Sequence, residues 1–303
     1  MRIGIIVNTE YHHATALSIY ESLKFLGLSP ALYHHNPNDK YSLKELCIIH
    51  NLTLAQAPCF DISIVITALE SNNKIPEFYT NPIFRGTNNL IFVHHRPLSC
   101  GESIIKKYFP LSKNIANGIY EKPFSENYFF QTETPLNLNA SRESTIGVTS
   151  RFFENKISTE YISSFIQKNK YNVKLLGEGS LEIARQINSG NTNTTDLCSH
   201  VNFYKQLAGF KFLLMPYDSS KADYTSIRTS ESLTHSIANR IPLIAHKKIL
   251  KYNNLKQIDS ADCNIIDILN SENKYNILIE ELTAFQNNAR KHNNNIFKKI
   301  LEI

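Results

Sequence analysis

The sequence contains no run of the roughly 20 apolar residues that a helix needs to cross a bilayer, which excludes an integral membrane protein. Its five cysteines are scattered and form no Cys-x-x-Cys pair, which favours reduced thiols over disulfides or a zinc framework. It has no basic block, recognition-helix signature or aromatic-rich RNA-binding motif, so we expect no nucleic-acid partner. Its first turn lacks a Gly-x-Gly-x-x-Gly pattern, which argues against a dinucleotide-dependent dehydrogenase.

What is present fits a globular protein with an anionic ligand. The 303 residues exceed the usual single-domain size, so we expect two domains of about 150 residues each. The net charge of +5 permits an anionic partner without naming one. The opening MRIGIIV has no cleavage site after it and predicts a first strand, not a signal peptide, so we expect a cytoplasmic protein.

The Lys- and Asn-rich tail has two interpretations. Its basic residues form either a solvated helix face or a patch for peripheral association with an anionic membrane, such as the inner face of the cell membrane. These residues are Lys291, His292, Lys298 and Lys299.

The first half of the chain alternates strand and helix patterns, which predicts a parallel sheet with crossover helices. Gly27 is the expected C-terminal cap of the first helix. The polar stretch Thr132–Ser144 predicts a linker, and we place the domain boundary near residue 142. The predicted strands are Arg2–Val7, Pro30–Tyr33, Asp61–Ala68 and Asn89–Val93, and the predicted helices are Thr15–Leu26 and Ser42–Asn51.

The stretch Ile146–Ser180 predicts a complete strand, loop, helix, strand and glycine turn. A helix from about Ser158 to Lys168, capped by Ser158 or Thr159, follows the first strand, and Val173–Leu176 forms the second strand. The loop between the first strand and this helix holds two cations, Arg151 and Lys156, which suit a diphosphate. Glycines after a parallel strand let the backbone approach a ligand closely. The turn consists of Gly177, Glu178 and Gly179.

This unit resembles the opening of the donor-binding domain of glycosyltransferases with the GT-B fold, in particular the retaining, nucleotide-sugar-dependent group. That group has a strand, Gly-Arg-Leu, a lysine five residues after the arginine, a helix, and a strand ending in Gly-Asp-Gly or Gly-Glu-Gly. Here Ser150-Arg151-Phe152, Lys156 and Gly177-Glu178-Gly179 fill those places, with Ser150 replacing a glycine. The alternative is a generic βαβ unit with exposed basic residues.

A helix expected to begin near Thr225 carries the second part of the donor site that the resemblance implies. The N-terminus of a helix attracts phosphate, and Thr225 and Ser226 add hydroxyl donors. Glu231 is the candidate for the ribose hydroxyls. Arg228 binds phosphate or instead pairs with Glu231 along the helix. Before it, we expect Asn188–Asp196 to be a flexible loop.

The chain departs from the resembled family at its glutamate pair. Retaining members carry two glutamates with seven residues between them, and Ile227 and His235 stand at the corresponding positions. Glu231 lies one helical turn before His235 and is the candidate replacement. The departure leaves retaining and inverting stereochemistry both open.

Adjacent histidines do not predict a metal site, because neighbours in an extended chain point in opposite directions. We therefore expect neither a metal nor another cofactor. His94 and His95 follow a strand of the first sheet, where the resembled family commonly has a histidine facing the transferred sugar. Either one is equally consistent with a structural histidine bonded to backbone.

These observations predict an α/β protein with two Rossmann-like domains whose parallel sheets face a central cleft. Residues 1–142 would bind a glycan or lipid-linked acceptor, 143–285 the nucleotide sugar, and 286–303 would pack back across both. The resemblance implies a glycosyltransferase of bacterial surface-polysaccharide synthesis, with His94, His95 and Glu231 as catalytic candidates. The alternatives are an inactive GT-B module that binds a partner enzyme, and an epimerase or phosphorylase on the same fold. The oligomeric state is open.

Overall fold

The structure is a computed structural model, and it describes residues 1–7, 13–35, 43–49, 51–66, 89–94, 107–110, 143–150, 152, 157–169, 171–187, 190, 192–195, 199–215, 217, 231–262 and 265–303. The chain divides into two compact units. One contains the described residues of Met1–Thr132 and of Asn288–Ile303, and the other those of Glu133–Ser226 and Ser230–Asn287. The predicted domain boundaries at 142 and 285 stay predictions.

The first unit contains a parallel sheet with helices between its strands, as the sequence predicts. Its described elements are β1 (Ile3–Val7), α1 (His13–Phe25), β2 (Pro30–His34), α2 (Leu43–Ile49), β3 (Ile62–Val65), β4 (Asn89–His94) and β5 (Lys107–Pro110). The strand order is β2-β1-β3-β4-β5, with every pair parallel.

Helix α1 shows why this sequence forms a helix that covers the sheet. Its buried side chains Leu17, Tyr20 and Leu23 recur at three-residue spacing, so one face of the helix meets the core. Gly27 ends it with a φ of 77°, and the N–H of Leu28 donates to the Leu23 carbonyl at 3.2 Å. The predicted glycine cap is therefore confirmed.

The second unit also contains a parallel sheet with helices between its strands. Its described elements are β6 (Glu143–Thr149), α3 (Thr159–Asn169), β7 (Val173–Leu176), α4 (Ser180–Ile187), β8 (Thr192–Thr195), α5 (His200–Ala208), β9 (Phe210–Leu214), α6 (Glu231–Asn239), β10 (Leu243–Ala245), α7 (Lys247–Tyr252), β11 (Ile258–Asp259) and α8 (Ile265–Asn270). The last helix, α9 (Glu272–Leu301), belongs to this unit up to Asn287 and to the first unit from Asn288 on.

The six strands of this sheet lie in the order β11-β10-β9-β6-β7-β8. Counted from the first strand of the unit, this is the doubly wound order 3-2-1-4-5-6. The predicted cap of α3 is confirmed, because the N–H of Tyr161 donates to Ser158 Oγ at 3.2 Å. Apolar side chains from strands and helices form the core, including Ile146, Val148, Phe165, Val173, Leu175 and Phe212.

One element corrects the sequence analysis. The sequence predicts a flexible loop over Asn188–Asp196, and this prediction is wrong for Thr192–Thr195. These four residues form β8 and pair in parallel with Val173–Leu176. The physical reason is that an edge strand needs a partner on one side only and can remain polar. Threonine, with its branched Cβ, fits such a strand.

Two cysteines lie among the described residues, Cys47 and Cys59, and neither forms a disulfide. Within the ranges given above, no helix is both long and apolar enough to cross a membrane.

Candidate functional site

The candidate site lies at the carboxyl end of the second sheet, where the chain reverses its direction of winding. Strand β6 is flanked by β7, which follows it, and by β9, to which the chain returns later. In open α/β sheets this reversal leaves a crevice at the carboxyl ends of the strands, and ligands bind there. The ends of β6 and β9 are Thr149 and Leu214.

The loop after β6 lies against the glycine turn after β7. The N–H of Ser150 donates to the Leu176 carbonyl at 3.3 Å, and the N–H of Phe152 donates to the Glu178 carbonyl at 2.8 Å. A Cβ placed on Gly177 would lie 2.0 Å from the Ser150 carbonyl oxygen. The close approach of these two segments therefore requires glycine at position 177.

Both glycines of the turn also adopt backbone angles that disfavour other residues. Gly177 has a φ of 140° and Gly179 a φ of 83°. The chain then enters α4 at Ser180, which is buried. The structure confirms that Gly177, Glu178 and Gly179 follow a parallel strand. Their binding role stays a prediction.

Two buried hydroxyl groups tie the start of α6 to the end of β6. Ser232 Oγ donates to the Thr149 carbonyl oxygen at 2.7 Å, and Thr149 Oγ1 donates to Ser232 Oγ at 3.2 Å. The first described turn of α6 therefore lies beside the end of β6, while residues 218–230, which precede it in the sequence, lie outside the described residues. That a helix begins near Thr225 and attracts phosphate with its N-terminus stays a prediction.

Sequence reasoning missed Thr149 and Ser232 as positioning residues. Each is unremarkable locally, and they are 83 positions apart in the chain. The available signal was a hydroxyl residue at the end of a predicted central strand and another near the predicted helix start. Without the fold, nothing in the sequence paired them.

His235, at the position that corresponds to the second glutamate of the resembled family, is buried among aromatic rings. Its side chain is 5% exposed, and its ring centroid lies 5.0 Å from that of Phe203 and 6.0 Å from that of Tyr204. A carboxylate would be costly to bury among such rings. The packing around α6 at this position therefore suits a histidine better than a carboxylate.

Other predicted site residues have only their backbone described, or lie outside the described residues. His94 is the last residue of β4 and Glu231 the first of α6, as far as their backbones show. His95, Arg151, Lys156, Thr225, Ser226 and Arg228 lie outside the described residues.

The first unit gathers histidines at the carboxyl end of β2. His13, buried at the start of α1, contacts His34 with ring centroids 5.9 Å apart, and Tyr33 contacts His35 with centroids 6.3 Å apart. Burial, and secondarily the neighbouring His34, lower the pKa of His35 below its ordinary value of 6.5. Among the residues that the structure describes, no three His, Cys, Asp or Glu side chains are placed to hold a metal ion.

Solved structures share this architecture over almost their entire length. HepE of Anabaena, crystallised with UDP, matches with a TM-score of 0.61 and 10% identity over 100% of both chains. AviGT4, a glycosyltransferase involved in avilamycin A biosynthesis, matches with a TM-score of 0.56 and 11% identity over 99% of this chain and 98% of its own. A UDP-N-acetylglucosamine 2-epimerase matches with a TM-score of 0.53 and 9% identity over 99% and 95%.

These likenesses show the fold: the chain has the α/β architecture with parallel sheets of GT-B proteins, a fold shared by glycosyltransferases and epimerases. No protein-family model matches the sequence, and no curated protein matches it.

Proposed function

We propose that the protein is a nucleotide-sugar-dependent glycosyltransferase that holds the nucleoside diphosphate of its donor at the carboxyl end of the second sheet. The observation that carries the proposal is the convergence of the glycine turn and the start of α6 on the end of β6. Glycine turns and helix starts at this position of doubly wound sheets are where phosphates usually bind, which supports the proposal. The structural likeness to HepE, which was crystallised with UDP and glucose, supports the same function.

Side chains of the second unit would complete the donor site. Arg151 and Lys156 would contact the diphosphate and neutralise the charge that builds on it as the sugar leaves, without a metal. Thr225 and Ser226 would donate hydroxyl hydrogen bonds. Arg228 would add a positive charge to the phosphates, and Glu231 would accept from the ribose.

The first unit would bind the acceptor, a glycan or a lipid-linked saccharide of a bacterial surface polysaccharide. His94, at the end of β4, and His95 would face the transferred sugar or the acceptor. The carboxyl ends of parallel strands are the usual place for such residues, which supports the assignment.

The alternative is an inactive GT-B module that binds a partner enzyme, and the buried His235 favours it. His235, which packs against the rings of Phe203 and Tyr204, stands where retaining enzymes of the resembled type carry a glutamate. An epimerase or phosphorylase on the same fold is a further alternative, supported by the likeness to a UDP-N-acetylglucosamine 2-epimerase.

A panel of nucleotide sugars tests the proposal on the purified full chain. A donor that binds the folded state raises the unfolding temperature, and slow release of nucleoside diphosphate reports transfer to water. Arg151→Ala and Lys156→Ala should each weaken binding about ten- to a hundredfold, because each removes a charge-assisted contact. Lys168→Ala is the matched control, since Lys168 is an exposed lysine on α3. Equal binding by all four proteins would contradict the donor site.

Turnover distinguishes an enzyme from a binding module. Alanine at His94, His95 or Glu231 should lower turnover far more than nucleotide affinity, with Glu231 also affecting affinity through the ribose. A module would bind nucleotide without turnover of any donor. An epimerase would convert the sugar while it remains attached to its nucleotide.

A further inference from the structure

A surface cavity of about 520 Å³ lies between the end of α1 and the last turns of α9, within the first unit. It lies on different elements from the proposed donor site. The residues that line it are Phe25, Leu26, Lys291, Asn294, Asn295 and Lys298.

The charge around this cavity is positive. Lys291 and Lys298 are exposed and seven residues apart on α9, which places them on one face two turns from each other. The sequence from residue 282 to residue 301 contains four lysines and arginines and no aspartate or glutamate. An anionic partner would therefore meet no repulsion from this part of the helix.

Large apolar side chains are exposed beside these charges. Phe25 is 63% exposed and Ile303 is 53% exposed. The guanidinium carbon of Arg290 lies 5.6 Å from the centre of the Phe25 ring, and the N–H of Ile303 donates to the Lys298 carbonyl at 3.1 Å. Aromatic and aliphatic side chains mixed with cations are typical of surfaces that enter the headgroup region of a bilayer.

The cavity also offers a polar group for a hydroxyl. The side-chain oxygen of Asn294 is buried and has no hydrogen-bond partner, although the residue lines the cavity. A buried acceptor without a partner is costly, and a hydroxyl donor would satisfy it. A glycerophospholipid with a hydroxylated headgroup has a matching group for each of these features. Its phosphate would lie between the two lysines, its headgroup hydroxyl at Asn294 and its acyl region beside Phe25.

We propose that this surface docks the protein on a bilayer that contains anionic glycerophospholipid such as phosphatidylglycerol. Lys291 and Lys298 bind the lipid phosphate, Asn294 accepts from the headgroup hydroxyl, and Phe25 and Ile303 enter the interface. The basic tail of the sequence is then a membrane patch and not merely a solvated helix face. The proposal does not depend on the donor site.

Co-sedimentation of the full chain with vesicles tests the proposal. The protein should bind vesicles of phosphatidylcholine mixed with phosphatidylglycerol, and binding should weaken as salt rises. The double variant Lys291→Ala/Lys298→Ala should bind roughly thirtyfold more weakly, since each lysine near an anionic surface contributes about a fivefold factor. Phe25→Ser should also bind more weakly, because the serine loses the apolar contact.

A matched control separates the surface from net charge. Lys168→Ala/Lys274→Ala removes the same charge from exposed helix positions of the second unit and should keep wild-type binding. Circular dichroism and nucleotide affinity, unchanged in all variants, would show that folding and the donor site are intact.

Three results would overturn the proposal. They are equal binding to pure phosphatidylcholine, an equal loss in the control variant, and complete displacement from vesicles by dilute glycerol phosphate. The last would show that the cavity binds a free phosphate ester.

Discussion

Gly177 allows the glycine turn after β7 and the loop after β6, the two loops of the candidate site, to lie in close contact. Gly177→Ala should destabilise the protein and weaken nucleotide binding, because the new methyl group would lie 2.0 Å from the Ser150 carbonyl oxygen at a φ of 140°. The unfavourable backbone region alone costs about 1–3 kcal/mol. Urea unfolding and nucleotide titration measure both effects.

Gly190→Ala provides the matched control for this substitution. A Cβ at Gly190 would meet no atom within 4 Å, so stability and affinity should stay near those of the wild type. If both variants behaved like the wild type, the close approach of Ser150 to Gly177 would not be a requirement of the fold.

His35 predicts a dependence of folding stability on pH. Its pKa is lower in the folded protein than its ordinary value of 6.5, first because of burial and second because of His34. The unfolded chain therefore binds more protons at this site below pH 6.5, and acidification costs stability until the folded-state pKa is passed.

His35→Gln removes this titration and tests its sign. The free energy of unfolding of the wild type should decrease relative to that of the variant as the pH falls from about 7.5 to about 5. Denaturant unfolding at each pH measures that difference. A difference that stays constant, or shifts the other way, would contradict the assigned direction of the pKa change.

Some residue roles could be read from the sequence because their causes are local. The cap at Ser158 and the glycine at position 27 depend on backbone geometry within a few residues. Ser232 could not be identified in this way, because its partner Thr149 is brought to it only by the order of the strands.

At the scale of elements, the start of α6 should matter for nucleotide binding as well as for stability. Ser232 and Ser236 lie one turn apart on α6, and each donates a buried 2.7 Å hydrogen bond to a backbone carbonyl, that of Thr149 and that of Ile241 respectively. Alanine at either position should cost about 1–3 kcal/mol of stability.

The two serine variants should differ in nucleotide affinity. Ser232→Ala releases the helix start from β6 and should weaken binding, whereas Ser236→Ala leaves that junction intact and serves as the control. Unfolding experiments and nucleotide titration on both variants measure the two effects separately. Equal affinities would mean that the junction between α6 and β6 does not position the ligand.

Strand β8 shows where pattern reasoning fails for an element. Its residues are all polar, so it lacks the apolar alternation that marks half-buried strands. Its last residue, Thr195, nevertheless accepts from the N–H of Gly177 at 3.0 Å and donates to Gln206 Oε1 at 2.7 Å. The strand thus supports the glycine turn through a backbone hydrogen bond, and the hydrophobic pattern of a sequence does not show such bonds.

At the scale of the molecule, alternation of strands and helices was sufficient to predict parallel sheets. It was not sufficient to predict their order. The return of the chain from β8 to β9, on the other side of β6, creates the crevice. The order of the strands depends on which hydrophobic faces pack together between segments that are far apart in the sequence. The periodicity of apolar residues within one segment cannot predict that packing.

Hydrogen–deuterium exchange with bound nucleotide tests the central claim most directly. The nucleoside diphosphate that most raises the unfolding temperature should slow amide exchange in peptides covering 173–180 and 231–236, because a ligand bound there stabilises these segments against local opening. Peptides covering 288–301 should exchange at an unchanged rate. Protection confined to the first unit, or no protection by any nucleotide, would contradict a donor site at the carboxyl end of the second sheet.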